Sequence, residues 1–233
     1  MFLTRYVVAI TYKDDKGVDR ICAGGIIGPQ IVVTAAHCVA KNMSSVRVVV
    51  GDTHFHDEAI AVLPVVAARI HPLYEQSIRH FDNAYDLAVI KTRDPMPGRS
   101  RHLQLAWTLF PLDQIPDVYV IGYGVNGFDR KGEPINKGAL NSAVVKRLGG
   151  DQEEKFIRLD QKHGAGVCIG DSGGPMVVEN ANGYLVMGVA ATVFNETDAS
   201  QKSLCSGKST FISVPYFKHW IMKQSFELMQ VHR

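Results

Sequence analysis

Apolar residues along this chain recur mostly in short runs of the kind that form strands. In the first half they are Tyr6 to Tyr12, Ile26 to Thr34, Val46 to Val50, Ile60 to Ile70 and Leu87 to Lys91. In the second half they are Val118 to Gly122, Ala143 to Leu148, Met176 to Val178, Tyr184 to Val193 and Phe211 to Val214. They are rich in Val and Ile and separated by Gly, Pro, Asn and Asp, the pattern of strands joined by turns. Short strands without alternating long helices predict an all-β barrel or sandwich and argue against a βαβ sheet. The pattern changes only near the end. From Pro215 to Val231, Phe217, Trp220, Ile221, Phe226, Leu228 and Met229 recur at mixed helical spacing, and Pro215 suits a helix start. This predicts a terminal helix docked on the β structure. Arg99 to Pro116 carries few strand signals and is expected to connect two β units, residues 1–107 and 108–214, followed by the helix at 215–233. The sequence shows no fixed-period repeat.

Composition narrows the class further. With 233 residues and 46% hydrophobic content, the chain can bury a substantial core as one large domain or two small ones. Its 25 basic and 23 acidic residues give a net charge of +2 without long like-charge blocks, so neither a nucleic-acid groove nor a polybasic membrane anchor is expected. The cluster Arg99-Ser100-Arg101-His102 reads as a solvated loop. No apolar stretch approaches a bilayer span. The opening "MFLTRYVVAITYKDD" makes a poor secretory signal and a good strand. Cys22, Cys38, Cys168 and Cys205 form no C-x-x-C pair, which argues against a zinc ribbon or thioredoxin-type site, and counting leaves three pairings open. Sequons at Asn42 and Asn195 fit a secreted chain but weigh little. His54 and His56 beside Asp57 and Glu58 lack the spacing of a metal cluster, so a loop is expected there, with no metal and no cofactor.

The chemistry concentrates in three places. "GDSGGPMVV", residues 170–178, sets Ser172 among glycines that allow tight turns and close substrate approach. A serine hydroxyl attacks an acyl carbon only when a base takes its proton and donors await the oxyanion. The N–H groups of Gly170 and Ser172 are candidates for those donors; the alternative reading is a Gly-rich turn leading into the next strand. "TAAHC", residues 34–38, places His37 directly after a buried-looking strand and beside Cys38, where a disulfide would restrict the imidazole. For the other histidines, surface exposure or packing is the default. "NAYDLAVIK" offers Asp86 ahead of an apolar strand, where a buried carboxylate needs a partner. Asp82, in the polar part of the same loop, is an alternative.

These motifs resemble the trypsin-like (chymotrypsin-family) serine proteases along nearly the whole chain. "CAGGIIGPQIVVTAAHC" is similar to the family's first cysteine, Gly-Gly strand and histidine motif; "HPLY" at 71–74 and "DLAVIK" from Asp86 resemble the segments around its catalytic aspartate. "VIGYG" at 120–124 stands where Gly-Trp-Gly is usual, "CIGDSGGP" carries the nucleophile, and "YFKHWI" from Tyr216 resembles the terminal helix. The order His, Asp, Ser separates this pattern from subtilisins and α/β-hydrolases. The resemblance implies two six-stranded antiparallel β-barrels with a C-terminal α-helix and the site in the cleft between them. It implies catalytic His37, Asp86 and Ser172, an oxyanion hole from Gly170 and Ser172, and disulfides Cys22–Cys38 and Cys168–Cys205. Each disulfide would contribute about 3–4 kcal/mol in the chain-entropy account and requires an oxidising compartment. The implied activity is a secreted, monomeric serine endopeptidase acting on protein or peptide substrates, with protein inhibitors as further partners.

Specificity is expected from Gly166, Val167, Val193 and Ser209. The family's charge-selecting aspartate falls at Gly166, so a preference for Arg or Lys is not expected. Val193 should narrow the pocket toward small or medium apolar side chains; a one-residue shift would instead bring in Lys208 and favour acidic ones. Ala191 lacks the hydroxyl that in relatives holds the catalytic aspartate. The chain also lacks the Ile-Val-Gly-Gly-type sequence whose freed ammonium pairs with the residue equivalent to Asp171, so truncation is the simpler expectation and Arg20 a speculative substitute cation. A binding or regulatory homologue without catalysis is the alternative function, and an esterase on another fold is weaker still.

Overall fold

Six strands in the first half of the chain close into a barrel in the computed structural model, which describes residues 2–53, 59–79, 83–108, 118–129, 131, 133–135, 138–145, 155–161, 165–194 and 205–231. They are β1 (Val7–Lys13), β2 (Asp19–Ile26), β3 (Ile31–Thr34), β4 (Arg47–Val50), β5 (Ala61–Ile70) and β6 (Ala88–Thr92). Their order is β1-β2-β3-β6-β5-β4, and antiparallel pairing of β4 with β1 closes the ring. Alternate side chains explain the apolar runs. Val8, Ile10, Val32, Val48 and Ile90 fill one core, while Val7, Ala9, Val33, Val49 and Val89 fill another. Strands buried on both faces are apolar throughout, and each fully buried Val or Ile contributes about 1.5–3 kcal/mol.

The second half forms a sheet in the order β11-β8-β13-β14-β15-β12. Its antiparallel strands are β8 (Val118–Gly122), β11 (Asn141–Val145), β12 (Phe156–Asp160), β13 (Pro175–Asn180), β14 (Gly183–Phe194) and β15 (Lys208–Ser213). A short strand β7 (Gln104–Leu105) pairs in parallel with β14, and β9 (Gly127–Phe128) pairs with β10 (Pro134–Ile135). The expected all-β architecture is present. The first barrel closes; in the second, edge strands β11 and β12 do not pair with each other among the described residues. Ile121, Tyr123, Val177, Val189 and Ile212 share one core with Val33 and Val89, which joins the two halves.

Three segments depart from the sequence pattern. β2 escapes it because Cys22, Ala23, Gly24 and Gly25 are small, yet all are buried. The expected strand Ile26–Thr34 is interrupted, since Ile27 and Gly28 turn back to donate to Ile31 O at 3.0 and 3.2 Å. β12 was hidden by Arg158 and Asp160, although Phe156, Ile157 and Leu159 are buried.

The terminal helix is α2 (Val214–Gln230); α1 (Tyr74–Arg79) is a single short helix in the first half. Ser213 Oγ accepts the Tyr216 N–H at 3.4 Å and Pro215 lies in the first turn, as a helix start requires. Phe217, Ile221 and Leu228 are buried where α2 packs on β6 and β14. His71 stacks on Tyr85 with centroids 4.8 Å apart and also touches Phe217 and Trp220. Burial pushes its pKa down to about 4, which keeps the ring neutral among aromatics. That cluster anchors the turn Asn83–Tyr85, immediately before Asp86.

Tyr123 Oη donates to Gly51 O at 2.7 Å, a buried bond from the loop after β8 to the loop after β4. Tyr123→Phe should cost about 1–3 kcal/mol by leaving that carbonyl without its partner. In thermal unfolding the midpoint should fall by about 2–4 °C per kcal/mol. An unchanged midpoint would remove this bond from the forces joining the halves.

Candidate active site

His37 lies in the short turn Ala36–Cys38 directly after β3, and the disulfide Cys22–Cys38 ties that turn to β2. Asp86 is 3% exposed, just ahead of β6. One carboxylate oxygen accepts the His37 backbone N–H at 2.9 Å, and the other meets His37 Nδ1 at 2.7 Å. Two bonds from one residue fix both the ring and the turn that carries it. Among the described residues Asp86 accepts from His37 alone. Burial pushes the His37 pKa down, but the charge and hydrogen bond of Asp86 outweigh it and the net shift is upward from 6.5. The pair's contribution to stability is therefore complete below 6.5 and fades as pH rises through the folded value.

Ser172 sits where the two halves touch. Its carbonyl accepts the Ala23 N–H of β2 at 2.7 Å, and the next residue, Gly173, donates to Ala190 O of β14 at 2.7 Å. Gly173 adopts φ +80°, and a Cβ there would collide with Thr34 Oγ1 and Ala23 O. Only glycine fits this seam. Gly170 has φ +100°. Among the described residues neither the Gly170 nor the Ser172 N–H has a protein acceptor, as oxyanion donors require.

Asp171, between them, turns inward. Its oxygens accept the Gly124 N–H at 2.7 Å and the Cys168 N–H at 2.8 Å. Burial raises its pKa from 3.8 to about 6 against those two bonds, so the folded state loses stability as pH rises from about 4 to about 6, where the unfolded chain ionises first. Arg20 is not its partner: the guanidinium pairs with Asp14 Oδ2 at 2.7 Å across the β1–β2 hairpin. Asp14 is the nearer carboxylate because the hairpin folds it back beside Arg20. A second cavity of about 340 Å³ lies against Asp171, with Gly122, Val125 and Asn126 among its walls.

His37, Gly170 and Ser172 line one cavity of about 220 Å³, together with Val167 and Val193. Of the four expected pocket residues, those two valines therefore face it. Gly166 lines the cavity beside Asp171 instead. Ser209 stands opposite Val193 in the β14–β15 register, but it is fully buried and its hydroxyl has no partner among the described residues. Lys208 stands opposite Phe194 and is not among the walls of that cavity. The expected pairings Cys22–Cys38 and Cys168–Cys205 both form. Although Cys22, His37 and Cys38 lie close together, the two sulfurs are bonded to each other and offer no thiolate to a metal. His54, His56, Asp57, Glu58, Asp82 and Asn195 lie outside the described residues. Tyr12, Ile21 and Ile169 also line the cavity, and nothing local in the sequence marks them. Gln161 was missed as well: it is 1% exposed and bonded through its amide to Val167 and Cys205.

Comparison with known proteins places these features in a family. A solved collagenase structure superposes with a TM-score of 0.73 at 22% identity, covering 97% of this chain and 95% of that one; at this identity the likeness is one of fold. Hypodermin-B of Hypoderma lineatum is 29% identical over 177 residues, 71% of this chain and 66% of that protein. Glucanase inhibitor protein 3 of Phytophthora sojae is 30% identical over 178 residues, 71% of this chain and 64% of that protein. The chain thus spans just under two thirds of the length of both relatives. Secretion is typical of such proteins, and among the described residues no helix is long and apolar enough to cross a membrane. The family model described as Trypsin matches residues 3–221, and the chain belongs to the trypsin family of serine proteases, whose members act on protein substrates.

Proposed function

We propose that the protein is a secreted serine endopeptidase that cleaves peptide bonds through an acyl-enzyme. The observation that supports this most is the 2.7 Å bond between His37 Nδ1 and buried Asp86, with His37 and Ser172 lining one cavity. In this reading His37 Nε2 takes the proton of Ser172 Oγ as the oxygen bonds to the scissile carbonyl carbon. The oxyanion accepts from Gly170 and Ser172 N–H. His37 then protonates the leaving amine, the C–N bond breaks, and the acyl-enzyme remains. Water enters, gives its proton to His37 and attacks the ester; the acid leaves and Ser172 recovers its proton. Asp86 stays ionised throughout, holding the tautomer and stabilising the imidazolium.

The pocket reading favours small or medium apolar side chains, because Val167 and Val193 narrow the wall and neither carries charge. Monomeric state and inhibition by proteins that fit the same cleft complete the proposal. A binding role without catalysis has a counterpart in the relative named as an inhibitor. It is the weaker reading here, since none of the three catalytic groups is missing.

An organophosphonate probe should label the disulfide-bonded protein on Ser172, and Ser172→Ala should abolish labelling. A protein that folds with both disulfides yet stays unlabelled would support the binding role instead. Peptidase activity should also depend on pH through His37, which must be neutral to act as base. The raised pKa places the midpoint of the rising kcat/KM limb above 6.5. Asp86→Asn removes the charge that opposes burial, so the midpoint should move down, and turnover should fall about 10⁴-fold. A midpoint that stayed in place in Asp86→Asn would separate Asp86 from His37.

A further inference from the structure

Among the described residues, the walls of the cavity that holds His37 and Ser172 include no Asp or Glu, and Arg20 is the only Lys or Arg on them. Arg20 stands directly opposite Tyr12 in the β1–β2 register, so both side chains leave the same face of the hairpin, and both line the cavity. The guanidinium is held in place with one edge left open. Its Nε donates to Asp14 Oδ2 at 2.8 Å, and Nη2 lies 2.7 Å from the same oxygen. The other oxygen of Asp14 accepts the Lys16 and Val18 N–H groups at 2.9 and 3.0 Å, which fixes the carboxylate in the turn. Nη1 has no partner among the described residues, and neither has Tyr12 Oη. The Arg20 side chain is 51% exposed against 15% for Asp14, and Asp14 is not among the cavity walls. A group entering the cavity therefore meets the cation and not its partner.

The proposed chemistry assigns one side of the substrate to this wall. In the peptidase reading His37 protonates the leaving amine, so the departing part of the substrate lies next to His37. The turn carrying His37 is bonded to β2 through Cys22–Cys38, and Arg20 lies two residues before Cys22 on the same face of that strand. Val167 and Val193, proposed for the acyl side, come from other segments. We propose that Arg20, flanked by the Tyr12 hydroxyl, forms a carboxylate subsite on the leaving-group side of the cavity, selecting substrates with Asp or Glu within two residues after the scissile bond. This rests on the peptidase reading above and adds to it the part of the substrate that departs.

The physical basis is a donor set fixed before the substrate arrives. A planar guanidinium can serve two carboxylates on different edges, and the phenol adds one more donor to the open one. Burial holds the Tyr12 pKa above its ordinary 10.0 against the opposing charge of Arg20, so the hydroxyl keeps its proton at neutral pH. A carboxamide in the same place makes only the weaker neutral hydrogen bonds, and a lysine side chain meets a like charge. Water and salt reach the half-exposed guanidinium, which limits the preference for a carboxylate over a carboxamide to about fivefold. Neither residue touches the reacting atoms; both act on the segment that leaves.

The test measures kcat/KM of the full chain on peptides that share one acyl part and carry Glu, Gln or Lys at the first or second position after the scissile bond. Each is amidated at its C-terminus, so the side chain is the only carboxylate on that side. Ratios are read within one preparation, so differences in the amount of folded enzyme cancel. Wild type should prefer Glu over Gln by about fivefold, and over Lys by more. Raising salt from about 0.1 to about 1 M shortens the screening length from about 10 to about 3 Å and should bring the Glu to Gln ratio toward one. Arg20→Met should abolish the preference, and Tyr12→Phe should reduce it about twofold. Asp14→Asn breaks the same ion pair but keeps the cation, so its ratio should equal or exceed that of wild type. The proposal fails if Arg20→Met keeps the ratio. It fails equally if Asp14→Asn loses the ratio to the same extent, since the hairpin and not the cation would then set it. Equal cleavage of the Glu and Gln peptides by wild type, or a ratio indifferent to salt, overturns it even where Arg20→Met does not fold. A protein that takes no phosphonate label and cuts none of the peptides defeats the peptidase reading and this subsite together, whereas equal cleavage defeats the subsite alone.

Discussion

The seam at Ser172 and Gly173 is the constraint on which the rest depends. Ser172 offers its carbonyl to β2 of one half, while Gly173 donates to β14 of the other, both at 2.7 Å. The proposed nucleophile is therefore held by neither half alone. The approach is close enough that a single methyl at 173 would strike Thr34 and the Ala23 carbonyl. A shared apolar core and the Tyr123–Gly51 bond keep the halves at that separation. Interiors packed this tightly transmit small displacements, so the geometry at Ser172 is a property of the whole interface.

The buried carboxylates Asp86 and Asp171 are held in different ways. Asp86 is held by a side chain and a backbone N–H of one residue, His37, and raises that residue's basicity. Asp171 is held by two backbone amides from separate loops, and its own proton affinity rises because burial outweighs them. The first arrangement leaves a titrating imidazole poised toward the cavity. The second ties the loop bearing Gly170 and Ser172 down to Gly124 and Cys168. In the proposed mechanism the first charge serves proton transfer, while the second holds the shape of the loop.

The sequence revealed what local chemistry determines and hid what the tertiary structure creates. His37, Asp86 and Ser172 were legible because each sits in a short run whose residue types only make sense together. Strands buried on both faces were legible as Val and Ile runs. β2 was not, because its small residues serve close approach and carry no periodicity. The place of Arg20 near Cys22 suggests Asp171 as its partner, but the β1–β2 hairpin pairs it with Asp14. Gly166 and Ser209, expected in the pocket, lie off the cavity that holds His37 and Ser172: Gly166 faces the cavity beside Asp171, and Ser209 is buried within β15. Gln161 gave no signal, since a lone glutamine in "DQKHG" looks like any polar loop.

The aromatic cluster around His71 has a consequence for the order in which the molecule matures. Tyr85, which precedes Asp86, leans on His71, and His71 leans on Phe217 and Trp220 of α2. α2 follows the proposed catalytic residues in the chain, so a ribosome makes it after all of them. A nascent chain that already contains the histidine, the aspartate and the serine still lacks the buttress under the aspartate's turn. The proposed hydrolytic machinery would then become ordered only late in synthesis, which would limit self-digestion while the polypeptide is still emerging.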